Sequence, residues 1–133
     1  TRVEPGDLVV DSKRRLSVFY PTDLDFLLRN QRIETVVLNG GFTDCCVLNA
    51  AFDASNRGYR VIVLRDLVRG TDANLETAAL AMVSLHLGLV MDAADLTAAH
   101  TVEAYDPLVL VVEYADEAEL LGALAHVPDS LTT

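Results

Sequence analysis

The chain has 133 residues, one domain's worth and enough for a buried core. Half of it is hydrophobic (51%), which excludes a disordered chain, and no apolar run reaches the length of a membrane span. Ten basic residues against twenty acidic ones leave a net charge of −10, which disfavours a nucleic-acid partner, since that surface needs a basic patch.

The start, Thr1-Arg2-Val3-Glu4-Pro5-Gly6, has no apolar h-region, so no signal peptide is expected, and the acidic composition fits a cytoplasmic protein. After the Pro5-Gly6 turn signal, 8–11 reads as a short strand. Lys13-Arg14-Arg15 follows, then an aromatic loop, 16–20, closed by Pro21. Thr22, with Asp25 three residues on, predicts a capped helix to about Asn30, its apolar face made by Leu24, Leu27 and Leu28.

A buried strand is predicted over 34–39, leading into Gly40-Gly41-Phe42-Thr43-Asp44-Cys45-Cys46-Val47. A helix over 47–57 comes next, with Gly58 at its C′ position. The run 60–65 is apolar throughout, as in a central parallel strand. Asp72 opens an Ala-rich helix over 73–87, ended by Gly88. A short strand at 89–91, a helix from Asp92 to about Ala99, a break at 105–107, a strand at 108–113 and a helix at 115–125 complete the chain. Strands alternating with helices imply parallel βαβ units with right-handed crossovers, hence a three-layer α/β fold with a mostly parallel sheet. Ligands collect at the C-terminal strand ends of such sheets, where the cysteine turn and Lys13 both fall.

Cys45 and Cys46 are the two cysteines. Adjacent Cα atoms lie about 3.8 Å apart, closer than usual disulfide geometry. The spacing is also wrong for a zinc site, so both read as thiols of a reducing compartment. A cysteine in the first turn of a helix gains from the helix dipole, which favours the thiolate, and the turn's N–H groups can hold an oxyanion. Such a nucleophile still needs an acid/base group for the leaving atom. Free cysteines are also common core residues, and Cys45 reads as core packing. By itself Lys13 reads as part of a solvated basic cluster with Arg14 and Arg15. Asp53 and Arg57 read as structural, Asp66 as touching the crevice or capping a turn, and Thr71 and Asp72 as caps. His86, His100 and His126 lack the spacing of a metal site or a Cys-His dyad.

The cysteine stretch resembles the isochorismatase-like cysteine hydrolases, whose pattern is G-x-x-T-(D/N)-x-C-V-x-x-(T/S)-A-x-D-A-x-x-x-G-Y-x-V. The matching residues are Gly40, Thr43, Asp44, Cys46, Val47, Ala51, Asp53, Ala54, Gly58, Tyr59 and Val61. Upstream, Lys13-Arg14-Arg15-Leu16-Ser17-Val18-Phe19-Tyr20-Pro21-Thr22-Asp23-Leu24 is similar to the family's K-x-R-x-S-x-F-x-x-T-x-L stretch. The resemblance covers about residues 5 to 100. It implies Cys46 as catalytic nucleophile, Lys13 as catalytic lysine and an oxyanion hole from the Phe42 and Cys46 backbone amides. It also implies a cis peptide at Gly41–Phe42, with Phe42 and Phe19 shaping a substrate pocket.

The resemblance further implies a general-base aspartate at the end of a first strand that precedes the lysine. Asp11, two residues from Lys13, is not at that position. The expectation is therefore that a second chain or an N-terminal segment carries the aspartate, in an oligomer, and that the strand's absence leaves an open sheet edge. Metal ligands of nicotinamidase-like members fall in the same segment, so no metal or cofactor is assigned. Residues 1–103 are taken as the hydrolase domain and 104–133 as a strand–helix extension that covers an edge or binds a subunit. The function expected is hydrolysis of a small amide or ureido C–N bond through a thioester. The rivals are a non-catalytic scaffold subunit, Thr1 as an N-terminal nucleophile, and a redox cysteine pair, which the missing C-x-x-C spacing disfavours.

Overall fold

The computed structural model describes residues 5–102 and 108–113, with 99–102 and 108–113 described by their backbone. The first helix, α1 (Leu24–Asn30), buries Leu24 and Leu28. Its expected capping box does not form. The Thr22 hydroxyl accepts from the Leu24 amide (3.2 Å), but the Asp25 carboxylate instead accepts from the Tyr59 hydroxyl (2.7 Å) and faces Arg29 (3.6 Å).

The central strand β1 (Thr35–Gly41) is buried at all seven positions, because helices cover both of its faces. After it come a π-helical turn (Thr43–Val47) and α2 (Leu48–Asn56). That helix ends in a Schellman motif: the Gly58 amide donates to the Ser55 carbonyl and the Tyr59 amide to the Ala54 carbonyl, both at 3.0 Å. Gly58 has φ 86°, a conformation that favours glycine. Strand β2 (Arg60–Arg69) leads to α3 (Ala73–Met82), which continues as a π-helical segment (Val83–Leu87). Strand β3 (Leu89–Met91), helix α4 (Ala93–Val102) and strand β4 (Leu108–Glu113) follow.

The sheet order is β3-β2-β1-β4, and every ladder is parallel. Val36, Leu38, Val61 and Val63 pack against Leu24, Leu28, Ala50, Ala51 and Ala54 on one face. Val37, Ile62 and Leu64 pack against Ala93 and Leu96 on the other. This is the three-layer, parallel α/β arrangement that the alternation of elements predicts.

Two expectations need correction. The run 8–11 is not a strand: Leu8 and Val9 remain 59% and 62% exposed, outside the sheet. An apolar triplet becomes a strand only where a neighbour takes its backbone hydrogen bonds. In addition, β1 is not left with an open edge, because β4 pairs with it from Thr35↔Leu108 to Gly40↔Glu113. The helix expected at 115–125 and the break at 105–107 lie outside the described residues. Among the described residues no helix is long and apolar enough to cross a membrane.

Candidate active site

The site begins where β1 stops. Gly40 has φ 100°, which turns the chain out of the sheet, and the Gly41–Phe42 peptide is cis. Phe42 is extended, and its carbonyl accepts from the Cys45 and Val47 amides, each at 3.1 Å. This wide π-helical turn carries both cysteines ahead of α2. The Asn49 side-chain amide donates to the Cys45 carbonyl (2.8 Å) and ties the turn to the helix.

The end of β2 braces the turn. The Asp44 carboxylate accepts from the Thr71 amide (2.6 Å) and the Thr71 hydroxyl (2.8 Å). Burial pulls the Asp44 carboxyl upward, but the two bonds from Thr71 outweigh it and hold the group below its ordinary value. Gly70 allows this approach, since a Cβ there would lie 3.0 Å from an Asp44 oxygen and 2.6 Å from the Glu76 Cβ. Between Leu38 and Gly40 the β1–β2 register jumps from Val63 to Val68, so β2 bulges beside the site.

Lys13 arrives from the loop before α1. Its ammonium lies 3.8 Å from Cys46 Sγ, across 33 residues of sequence, and both side chains are half-buried. Arg14, by contrast, folds back to donate to the Asp11 carbonyl (2.7 Å) and the Lys13 carbonyl (2.9 Å). The basic triplet is therefore not one solvated cluster. Cys45 is half-buried rather than a core residue. Burial, then the neighbouring Cys46 and Asp44, push its thiol upward, while Lys13 works against them. That balance keeps Cys45 protonated beside Cys46.

Phe42 is half-buried at the head of the turn. Phe19 is 4% exposed and packs in the core, its ring 6.0 Å from that of Tyr59 with the Arg57 guanidinium 5.0 Å over its centre. The depression nearby is lined instead by Arg15, Leu16, Ser17, Tyr20, Asn49 and Asp53. Asn49 and Asp53 lie one and two turns along α2 from Cys46.

The remaining polar residues sort by partner. Asp53 pairs with Arg57 (3.4 Å). Asp72 caps α3 by accepting from the Asn74 and Leu75 amides (2.8 and 2.9 Å). The first amide of α4, that of Ala93, donates to Asp66 (2.9 Å), while the Asp92 carboxylate turns to Arg65 (3.2 Å). Two residues that the sequence reading passed over are Asn39 and Thr43. Both are buried, and their side chains have no hydrogen-bond partner among the described residues. A polar Asn at the end of an otherwise apolar strand was the signal for the first. Unmet polar demand at a strand end is typical of a functional site. His86 is exposed, and among the described residues no three His, Cys, Asp or Glu groups gather as a metal site.

A family model described as "Isochorismatase domain" matches residues 1–95. A ureidoacrylate amidohydrolase of Methylobacterium radiotolerans is 38% identical over 105 residues, covering 78% of this chain and 40% of that protein. A maleamate amidohydrolase of Pseudomonas putida is 42% identical over 65 residues, covering 49% of this chain and 30% of its own length. Among solved structures, an isochorismatase-like hydrolase from Alkaliphilus metalliredigens superposes with a TM-score of 0.63 at 37% identity, over 65% of this chain and 48% of that one. A cysteine hydrolase from Pseudomonas syringae gives a TM-score of 0.71 at 27% identity, over 77% of this chain and 52% of its own. The chain spans about two fifths of the length of the first of these relatives.

Proposed function

The chain belongs to the isochorismatase family, and from that premise we propose that it hydrolyses the carbon–nitrogen bond of a small amide or ureido compound, with Cys46 as nucleophile. The observation that carries this reading is the Lys13 ammonium 3.8 Å from Cys46 Sγ, brought from a separate loop to the first turn of a helix. An ammonium and a helix N-terminus both favour a thiolate. The substrate class rests on the printed activities of the relatives, which act on ureidoacrylate and maleamate.

In the proposed reaction Cys46 Sγ bonds to the substrate carbonyl carbon and the carbonyl oxygen becomes an oxyanion. The Phe42 and Cys46 amides receive it, the flanking Cys45 and Val47 amides being committed to the Phe42 carbonyl. Lys13 holds the thiolate and stabilises the charge that develops. The C–N bond then breaks, and the nitrogen leaves with the proton taken from the thiol. Water attacks the thioester, the C–S bond breaks, and the thiol is restored. One water is added across the C–N bond. The cycle needs a proton carrier that is neither Cys46 nor Lys13. A second chain or an N-terminal segment is one source of it.

The test is labelling with iodoacetamide at pH 7, with the alkylated peptide sequenced to separate Cys46 from Cys45. The reading predicts rapid modification at Cys46 and loss of turnover of ureido acids and primary amides in step with it. A Cys46 that stays unmodified points instead to a non-catalytic subunit.

A further inference from the structure

The chain leaves β3 at one edge of the sheet and returns on the far side of β1, where β4 pairs with β1 in parallel. The strand order thus reverses between β1 and β4. On one side of this point β1 runs into the cysteine turn and α2; on the other, α4 delivers β4 from the opposite face. A crevice opens outside the carboxyl ends of two strands whose connections depart to opposite faces. Cys46 follows the carboxyl end of β1, and Glu113 is the last residue of β4.

The register is specific. Glu113 is the partner of Gly40, the residue at which β1 turns toward Phe42. Adjacent strands lie about 4.8 Å apart, so position 113 is one strand spacing from that turn. Paired positions of parallel strands share a face, and Gly40 continues the Val36, Leu38 alternation on the face that α2 covers. Position 113 is therefore on the face of the sheet from which the cysteine turn rises.

The proposed reaction lacks a proton carrier, and the nearby carboxylates of residues 5–102 have other duties. Asp44 holds Thr71, Asp66 caps α4, Asp53 pairs with Arg57, and Glu76 accepts from the Gly70 amide (2.6 Å). Glu113 ends a strand otherwise made of Leu and Val. A charged residue at that point of an apolar strand suits the mouth of a crevice.

We propose that Glu113, set beside Gly40 by the β1–β4 register, is the carboxylate that takes and returns the protons of this reaction. This rests on the hydrolase reading above. The carboxylate takes the Cys46 thiol proton as Sγ bonds to carbon and gives it to the departing nitrogen as the C–N bond breaks. It then takes a proton from the water that attacks the thioester and returns it to sulfur.

The test compares Glu113→Gln, Glu113→Asp, Asp11→Asn and Cys46→Ala in the full chain, on a panel of ureido acids and primary amides, with iodoacetamide alkylation at pH 7 alongside. General acid–base groups contribute about 10²–10⁴ in rate, so Glu113→Gln should lower kcat by at least about a hundredfold, with Glu113→Asp recovering part of it and Asp11→Asn near wild type. Removing a negative charge beside the sulfur should also speed Cys46 alkylation in Glu113→Gln. A Glu113→Gln protein within threefold of wild type, or a hundredfold loss in Asp11→Asn alone, overturns the inference and leaves the hydrolase reading standing. A Cys46→Ala protein as active as wild type overturns the hydrolase reading itself. If no compound on the panel is turned over, the alkylation rate decides: faster in Glu113→Gln supports the assignment, and an unchanged rate overturns it.

Discussion

Lys13 and Cys46 meet although 33 residues separate them, and that contact gives the site its character. Replacing Lys13 with Met keeps the length of the side chain and removes the charge. We expect iodoacetamide alkylation of Cys46 at pH 7 to slow by about tenfold, the effect of losing roughly 1.4 kcal/mol of thiolate stabilisation. An unchanged rate would show that the ammonium does nothing for the sulfur. A second residue, Tyr59, works for the fold. Burial, and then the hydrogen bond to Asp25, push its phenol up to about 12, with the Arg29 guanidinium 4.3 Å over the ring. A folded-state value above the ordinary one near 10 stabilises the protein below pH ~10, and this contribution is lost as pH rises toward about 12. Tyr59→Phe should cost about 1 kcal/mol at neutral pH in urea unfolding. The difference from wild type should narrow only above pH ~10. A Tyr59→Phe protein that matches wild type at pH 7 would contradict this.

At the scale of elements, close approach sets the limits. Gly88 sits where a Cβ would lie 2.1 Å from the Val61 carbonyl oxygen, so β3 reaches β2 only because that position is bare. Gly88→Ala should destabilise the fold by about 1–3 kcal/mol as β3 is pushed away; an unchanged urea midpoint would contradict the packing described. Most elements were legible because burial on both faces writes a continuous apolar run, as in 34–39, 60–65 and 108–113. The run at 8–11 carried the same letters and misled, since nothing in three apolar residues says whether a neighbouring strand exists. The π-helical turn was not legible either, because a one-residue change in hydrogen-bond offset has no composition of its own. The cap of α4 was misread for a related reason. Asp92 precedes the helix in sequence, but Asp66 reaches its first amide through space. Of the site, the cysteine turn was visible as strand, glycine turn and helix. Lys13 was visible only through the family resemblance; its own neighbours suggested a solvated cluster.

At the scale of the whole molecule, the strand order carries the meaning, and order is the property least available from sequence. Nothing in Leu108-Val109-Leu110-Val111-Val112-Glu113 says that it pairs with β1 rather than extending the sheet beyond β3. That choice closes the β1 edge from within the chain and places the carboxyl ends of β1 and β4 around one crevice. Lys13, the cysteine turn and the end of β4 come from distant parts of the sequence, and the parallel sheet brings two of them together while the first loop supplies the third. The account therefore stands on Cys46 as nucleophile at this crevice. Its most direct test is the rate at which Cys46→Ala hydrolyses the ureido acids and amides that the wild-type chain accepts. Loss of a covalent nucleophile should reduce kcat by at least about a thousandfold, with the fold intact by circular dichroism; a Cys46→Ala protein that keeps its turnover would contradict it.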